Sequence, residues 1–359
     1  MATELLGKSK EELRGYFAGL GEPGYRAVQV YHALYAERKF DFAEMSNLPA
    51  GLRARLSEEA RITLPEITRR FVSQDGSVRY LFALAPGEER GTARAASVEA
   101  VFMPSEGRQT ICISTQAGCA VDCHFCLTAQ LGLVRNLTAG EIVAQVLVAL
   151  EEHKGQLAPQ TNVVLMGQGE PLLNYDAVMG AVRILLDQQG VGLSPRHVSL
   201  STSGIVPGIE RLAQEKVRPR LAISLNASND EQRDALMPIN RKYPLAKLME
   251  ACEKYPLRKW EQLMFEYVLL GGVNDAPEDA RRLVRLLAKV KAKVNLIPWN
   301  PGELPYREPT PSRIEDFHSI LLAKGVPVFV RYSRGRDVMA ACGQLALVEI
   351  AGTEVEVKG

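Results

Sequence analysis

The chain has 359 residues, of which 46% are hydrophobic and 24% charged, with a formal net charge of +1. That length can bury a large core in one main domain with an appendage. The near-neutral balance excludes grip on nucleic acid by bulk charge, so RNA binding must rest on local patches such as Arg331, Arg334 and Arg336, or Asn240-Arg241-Lys242-Tyr243. No stretch approaches the ~18 apolar residues of a membrane span, the N-terminus lacks a signal-peptide apolar core, and six cysteines without small-scaffold spacing fit a reducing compartment. A cytoplasmic location with no membrane contact is expected.

Residues 9–63 predict several short amphipathic helices, broken at Gly21-Glu22-Pro23-Gly24 and at Leu48-Pro49. Residues 70–103 predict a β-meander, with strands over 77–83 and 97–103 and a Pro86-Gly87 turn between them. From about residue 107, short β-rich apolar runs alternate with helical patterns, the signature of βα units around a parallel sheet. Strands are predicted over 110–115, 162–166, 197–202, 221–226, 265–270, 294–298 and 328–332. Thr138 and Glu141 form a capping box that opens a helix over 142–152, and further helices are predicted over 277–291 and 312–324. Six or so βα repeats are too few for a closed eight-fold barrel. The expected fold is therefore α/β, an incomplete, open-sided parallel βα barrel with its chemistry at the C-terminal ends of the strands. Residues 1–69 would form a helical accessory domain, 70–106 a β extension and 107–359 the barrel.

The loop after the first barrel strand reads Cys119-Ala-Val-Asp-Cys123-His-Phe-Cys126. Three thiolates can hold an iron–sulfur cluster and leave one iron without a protein ligand. Electron-transfer ferredoxins use four thiolates, and structural zinc closes a tetrahedron. Zinc here would need His124, which lies between two of the cysteines where the loop would have to turn sharply. One βα unit later a strand ends in Gly167-Gln168-Gly169-Glu170-Pro171. Glycines there let backbone approach a ligand closely, and the Glu170 carboxylate can accept from an ammonium group. Cys112 and Cys342 are far apart in sequence, and each taken alone could be a buried hydrophobe. Cys252, among Leu248 and Met249, reads as structural.

The cysteine spacing and the Gly-Gln-Gly-Glu segment resemble radical S-adenosylmethionine (SAM) enzymes. That resemblance implies a 4Fe–4S cluster on Cys119, Cys123 and Cys126, with SAM chelating the free iron and its methionyl amine bound near Gly169 and Glu170. One electron from the cluster would then yield a 5′-deoxyadenosyl radical. Ordered segments along essentially the whole chain resemble the RlmN/Cfr family of RNA adenine methyltransferases. They include Gly-Glu-Pro-Gly-Tyr-Arg at 21–26, Gln-Ala-Gly-Cys at 116–119, Leu-Ser-Thr-Ser-Gly at 200–204, Leu-Ala-Ile-Ser-Leu at 221–225, Met-Pro-Ile-Asn-Arg-Lys at 237–242, Leu-Ile-Pro-Trp-Asn-Pro at 296–301 and Ala-Cys-Gly-Gln-Leu at 341–345.

In that family an electron-poor adenine carbon cannot attack the methyl of SAM, so a radical is supplied. By resemblance, Cys342 first takes a methyl from one SAM as a thiolate. A radical from a second SAM removes a hydrogen from that methyl, and the methylene radical adds to adenine. Cys112 then attacks the Cys342 sulfur, releasing methylated RNA and leaving a disulfide to be reduced. Glu99 matches a carboxylate assigned as a base, with a surface glutamate as the alternative. Ser201, Ser224, Leu225, Asn226 and Asn300 match SAM-contacting positions. Gln168 stands where the family often has Met, and Asn226 where it often has His. The implied substrates are C2 of adenine 2503 in 23S rRNA and the adenine beside the anticodon of some tRNAs. The implied electron donor is a flavodoxin or ferredoxin, and the enzyme is expected to be a monomer. Three alternatives stay open: C8 methylation of the same rRNA adenine, a radical SAM enzyme whose extra cysteines carry no methyl, and a metal-stabilised RNA-binding module without catalysis. The N-terminal segment, roughly residues 1–90, is expected to dock structured RNA.

Overall fold

The computed structural model describes residues 2–85 and 96–346. The turn expected at Pro86-Gly87 lies outside these residues. Three helices open the chain, α1 (Lys10–Gly19), α2 (Gly24–Tyr35) and α3 (Ala50–Glu59). A Ser9/Glu12 capping box starts α1, and Gly21, at a φ of 77°, makes the turn into α2.

Among the described residues, ten strands then form one sheet. They are β1 (Glu66–Val72), β2 (Val78–Leu84), β3 (Ala96–Ser105), β4 (Arg108–Cys112), β5 (Gln160–Leu165), β6 (Val198–Thr202), β7 (Arg220–Ser224), β8 (Leu263–Leu269), β9 (Ala292–Pro298) and β10 (Val328–Val330). Each pairs with its neighbour in chain order. The first four form an antiparallel meander, and every pairing from β4 onward is parallel. Because β1 and β10 are both edges, the barrel is open. The sequence pattern predicts no strand over β1, which runs across the 69/70 boundary expected between accessory domain and extension. The strands are continuous with the barrel sheet, so the meander extends the barrel wall. The helix Pro277–Leu287 stops short of residue 291, because β9 begins at Ala292.

Helices α4 (Ala139–Glu152) and α5 (Tyr175–Leu186) cover the outer face of the sheet. The expected capping box starts α4, and ten of its residues are buried because the N-terminal segment packs on its far side. Gly140 makes that approach possible, since a Cβ there would sit 2.6 Å from the Leu6 carbonyl oxygen. Lys10 pairs with Asp187 at 2.8 Å, the Tyr31 hydroxyl donates to the same carboxylate at 3.3 Å, and Arg38 reaches Glu151 at 3.3 Å. Leu5, Leu13, Phe17 and Leu34 belong to the same continuous apolar core as Val146, Leu200 and Phe265. The N-terminal helices are therefore held by shared burial as well as by these polar contacts.

Candidate active site

The cysteine loop hangs between a two-stranded ribbon, Gln116–Gly118 with Leu133–Asn136, and the short helix Leu127–Gln130 that begins after Cys126. The Cys119 N–H donates to Gly132 O at 3.0 Å, and the Cys126 N–H to Cys123 O at 3.0 Å. All three cysteines line a cavity of about 160 Å³ at the C-terminal ends of the barrel strands. Burial pushes the Cys119 thiol up to about 12 and raises Cys123 and Cys126 as well. Iron bound there would replace those protons. Among the described residues, no three His, Cys, Asp or Glu side chains converge on one ion-sized point, and thiolates that each bind a separate iron need not converge. His124 is exposed beside Asp122 at 3.6 Å and does not line the cavity. The residues present fit a cluster held by three thiolates.

Opposite the loop, Gly169 holds a φ of 100°, and a Cβ there would lie 2.6 Å from the Gln116 side chain. Only glycine lets the two segments meet. The buried Glu170 carboxylate accepts from the Leu172 N–H at 3.0 Å and the Ser203 N–H at 2.7 Å, and it faces the cavity. Ser201, Ser224, Asn226 and Asn300 line the same space. Leu225 does not, since its side chain packs in the core and only its backbone reaches the strand end. Asn226 has a φ of 57°, a region in which Asn and His are both enriched.

Sequence reasoning missed Glu266. It lies on the inner face of β8, lines the cavity, and accepts from the Ser201 hydroxyl at 2.7 Å and the Ser224 hydroxyl at 3.4 Å. Burial raises its pKa, against the lowering effect of Ser201, Arg331 and Ser224. A lone carboxylate within the apolar run Leu-Met-Phe-Glu-Tyr-Val-Leu is the signal that could have found it.

The C-terminal residues 333–345 lie across the inner face of the meander. Asp75, in the turn between β1 and β2, accepts from Arg334 Nε at 3.3 Å and the Gly335 N–H at 3.0 Å. Asp337 accepts from the Ser73 hydroxyl at 2.6 Å and the Gln74 N–H at 3.0 Å. At the other end, the Leu127 N–H donates to Gly343 O at 2.8 Å, Thr128 Oγ1 to Leu345 O at 2.6 Å, and Asn300 Nδ2 to Cys342 O at 3.3 Å. This course sets Cys342 on the cavity wall beside the cysteine loop. Cys112, at the end of β4, lies buried behind it with Val101, Val338, Ala340 and Leu345.

Each thiol feels the low-dielectric surroundings. Cys342 opens onto the cavity but is closely surrounded by protein; burial and the nearby Glu266 push it up to about 11, and Arg331 works the other way. Cys112 is raised by burial first and then by the adjacent Cys342. All six cysteines are free thiols, so the Cys112–Cys342 disulfide expected by resemblance is not formed in this state.

Glu99 is not the surface glutamate of the alternative reading. It is fully buried on β3, paired with the equally buried Arg79 of β2, and Gln168 Nε2 reaches its other oxygen at 3.4 Å. Neither Glu99 nor Cys112 lines the cavity. Cys252 is buried in the core.

An open parallel barrel with three cysteines in the loop after its first barrel strand, and a Gly-Glu pair at the end of the next, defines the radical SAM class. The model of the radical SAM superfamily matches residues 113–286, and that of the ribosomal RNA large subunit methyltransferase N-terminal domain matches residues 3–62. The chain is 47% identical over 349 residues to the probable dual-specificity RNA methyltransferase RlmN of Koribacter versatilis, covering 92% of this chain and 98% of that protein. It is 48% identical over 345 residues to the dual-specificity RNA methyltransferase RlmN of Anaeromyxobacter dehalogenans, covering 94% and 90%. The crystal structure of a radical SAM methyltransferase from Sphaerobacter thermophilus superimposes with a TM-score of 0.87 at 43% identity, covering 96% and 99% of the two chains. The chain belongs to the RlmN family of radical SAM RNA methyltransferases. Its cofactors are those of the family, a 4Fe–4S cluster and SAM. Among the described residues, no helix is long and apolar enough to cross a membrane.

Proposed function

We propose that this enzyme methylates C2 of adenine 2503 in 23S rRNA and the adenine beside the anticodon of some tRNAs, carrying the methyl on Cys342 and releasing it through Cys112. The observation that supports this most directly is that Cys342, on the wall of the cavity that also receives Cys119, Cys123 and Cys126, has Cys112, remote in sequence, buried directly behind it. Those three would hold the cluster, while Gly169, Glu170, Ser201, Ser224, Asn226, Asn300 and the Leu225 backbone would shape the SAM site. When bound, cluster and SAM supply a transferable methyl group and a radical able to remove hydrogen from a methyl carbon.

The chain's own residues do the rest. Cys342 accepts the methyl on sulfur and presents it to the cavity, because Asn300 and Leu127 hold the carbonyls of Cys342 and Gly343. Once the base is linked to that carbon and has lost its ring proton, the Cys112 thiolate attacks the Cys342 sulfur. The carbon–sulfur bond breaks with its electron pair going to the linking methylene carbon, which takes up a proton to become the methyl group of the base, and an external dithiol reduces the resulting disulfide to two thiols. Glu99 is proposed as the proton acceptor on resemblance, although its carboxylate is engaged by Arg79 and Gln168 and Glu266 is the acid next to Cys342. A flavodoxin or ferredoxin as reductant, a monomeric state, work in the cytoplasm, and a helical segment that docks RNA complete the reading.

Timing of the two thiols tests it. Cys342→Ala is expected to give neither methylated protein nor RNA adduct. Cys112→Ala is expected to form the link and fail to resolve it, so protein joined to RNA accumulates and survives denaturation. An adduct in the Cys342 variant, or free methylated RNA at the wild-type rate from the Cys112 variant, would reverse the assignment. Chromatography of the product nucleoside against 2-methyl and 8-methyl standards separates C2 from C8.

A further inference from the structure

Among the described residues, three cations on the inner face of the barrel, Arg220, Lys293 and Arg331, form no salt bridge with an acid. The strand register that brings Ser224, Glu266 and Ile297 to the cavity wall places Arg220 of β7 and Lys293 of β9 on the same inner face, nearer the starts of their strands. The alternate residues Leu221, Ile223, Ala292 and Val294 go to the core. On the free edge strand, Val328 and Val330 face the core as well, so Phe329, paired in register with Asn295, is left on the inner face, 55% exposed. Arg331 follows, exposed, its N–H bonded to Leu296 O at 2.8 Å.

The three cations sit close enough to disfavour one another's charge. The Lys293 pKa is lowered by burial, then by Arg220, then by Arg331. The acid that acts on Arg220 is already paired with other arginines. Glu261, which faces Arg220, is engaged by Arg218 at 3.7 Å and Arg258 at 3.4 Å. Glu266 accepts from the Ser201 and Ser224 hydroxyls and acts on Arg331 only from beyond salt-bridge distance. Two arginines of the sequence patch behave differently, since Arg334 is spent on Asp75 and Arg336 on Glu308 at 3.2 Å. Half-buried cations without a counter-charge are costly unless a ligand brings one. A base extruded into the cavity draws its flanking backbone with it, and exposed aromatics beside cations suit single strands, whose bases stack while phosphates pair.

We propose that Arg220, Lys293 and Arg331 hold backbone phosphates of the single-stranded RNA flanking the target adenine, with Phe329 stacking a neighbouring base. This rests on the RNA methyltransferase reading above and adds the surface by which the substrate enters the barrel.

The test uses cluster-loaded full-length enzyme and a labelled RNA hairpin with the adenine in its loop, with affinity read by fluorescence anisotropy across a salt series and SAM affinity measured on the same samples. Arg220→Gln with Lys293→Gln is expected to weaken RNA binding by about tenfold or more and to flatten the slope of log affinity against log salt by about 1.4, about 0.7 per phosphate. Arg220→Lys with Lys293→Arg should restore the slope. Phe329→Ala should weaken binding about tenfold with the slope unchanged, and this exposed position still decides the matter if the double variant does not fold. Wild-type affinity and slope in the double variant would overturn the proposal. So would lost SAM affinity with RNA binding intact, which would assign the cations to SAM. Failure of the wild-type enzyme to bind or methylate the hairpin would instead refute the underlying function.

Discussion

Cys342 must shed its proton to accept a methyl, and its setting works against that. Burial and Glu266 raise the thiol, and Arg331 is the cation that lowers it. Arg331→Gln should therefore move the pH profile of Cys342 alkylation by iodoacetamide to higher pH and slow the reaction roughly two- to fivefold at a fixed pH below the thiol pKa, the range of an exposed charge contact. An unmoved profile would remove Arg331 from this role. The cluster cysteines give a sharper expectation. Replacing any one of Cys119, Cys123 or Cys126 by Ala should abolish the brown absorbance and SAM cleavage, and a full iron and sulfide count in all three variants would refute the ligand set.

At the level of elements, the C-terminal segment is latched to the turn between β1 and β2. Burial alone would raise the Asp75 pKa, but hydrogen bonds from Ser77, Gly335 and Ser73 outweigh it and hold the carboxyl well below its usual range. A lowered folded pKa stabilises above the unfolded value of 3.8 and is lost as pH falls, so the latch is intact at neutral pH and weakens on acidification below about pH 4. Asp75→Asn should raise hydrogen exchange over residues 333–345 and cut RNA methylation about tenfold, a cost of order one charged hydrogen bond, with cluster content unchanged. Exchange equal to wild type would show that the apolar contacts of Val338 and Ala340 hold the segment by themselves. The buried Arg79–Glu99 pair lies under the same segment, and removing one partner of such a pair costs about 3–5 kcal/mol.

Across the whole molecule, the N-terminal helices share the barrel's core, and this changes how their role can be tested. A deletion through residue 90 would take β1 and β2 with it, and with them Arg79 and the Asp75 latch. A cleaner perturbation is Gly140→Ala, whose Cβ would meet the Leu6 carbonyl at 2.6 Å. It should destabilise the protein by about 1–3 kcal/mol and depress RNA methylation while reductive SAM cleavage without RNA continues. Equal loss of both activities would mean that the segment supports the barrel as a whole.

Much of this architecture was legible in local pattern. The βα alternation, the three-cysteine loop, the Gly169-Glu170 strand end and the Thr138 cap all depend on residues close in sequence, whose periodicity or spacing carries the information. What escaped were long-range relations. β1 is a half-exposed edge strand, so it lacks the apolar alternation that marks a buried one. Glu266 and Arg79 acquire meaning only from the face of the sheet on which they land. Leu225 sits within a cavity-forming segment, yet the two-residue strand period turns it to the core. The juxtaposition of Cys112 with Cys342, across 230 residues, exists because the C-terminal segment folds back over the meander. By itself, the sequence determined the class, the cluster loop and the thiol inventory, since those are properties of residue type and spacing. The tertiary structure alone decided which thiol faces the cavity, which acid stands beside it and which cations form no salt bridge among the described residues, because each depends on what a side chain meets once distant strands are packed together.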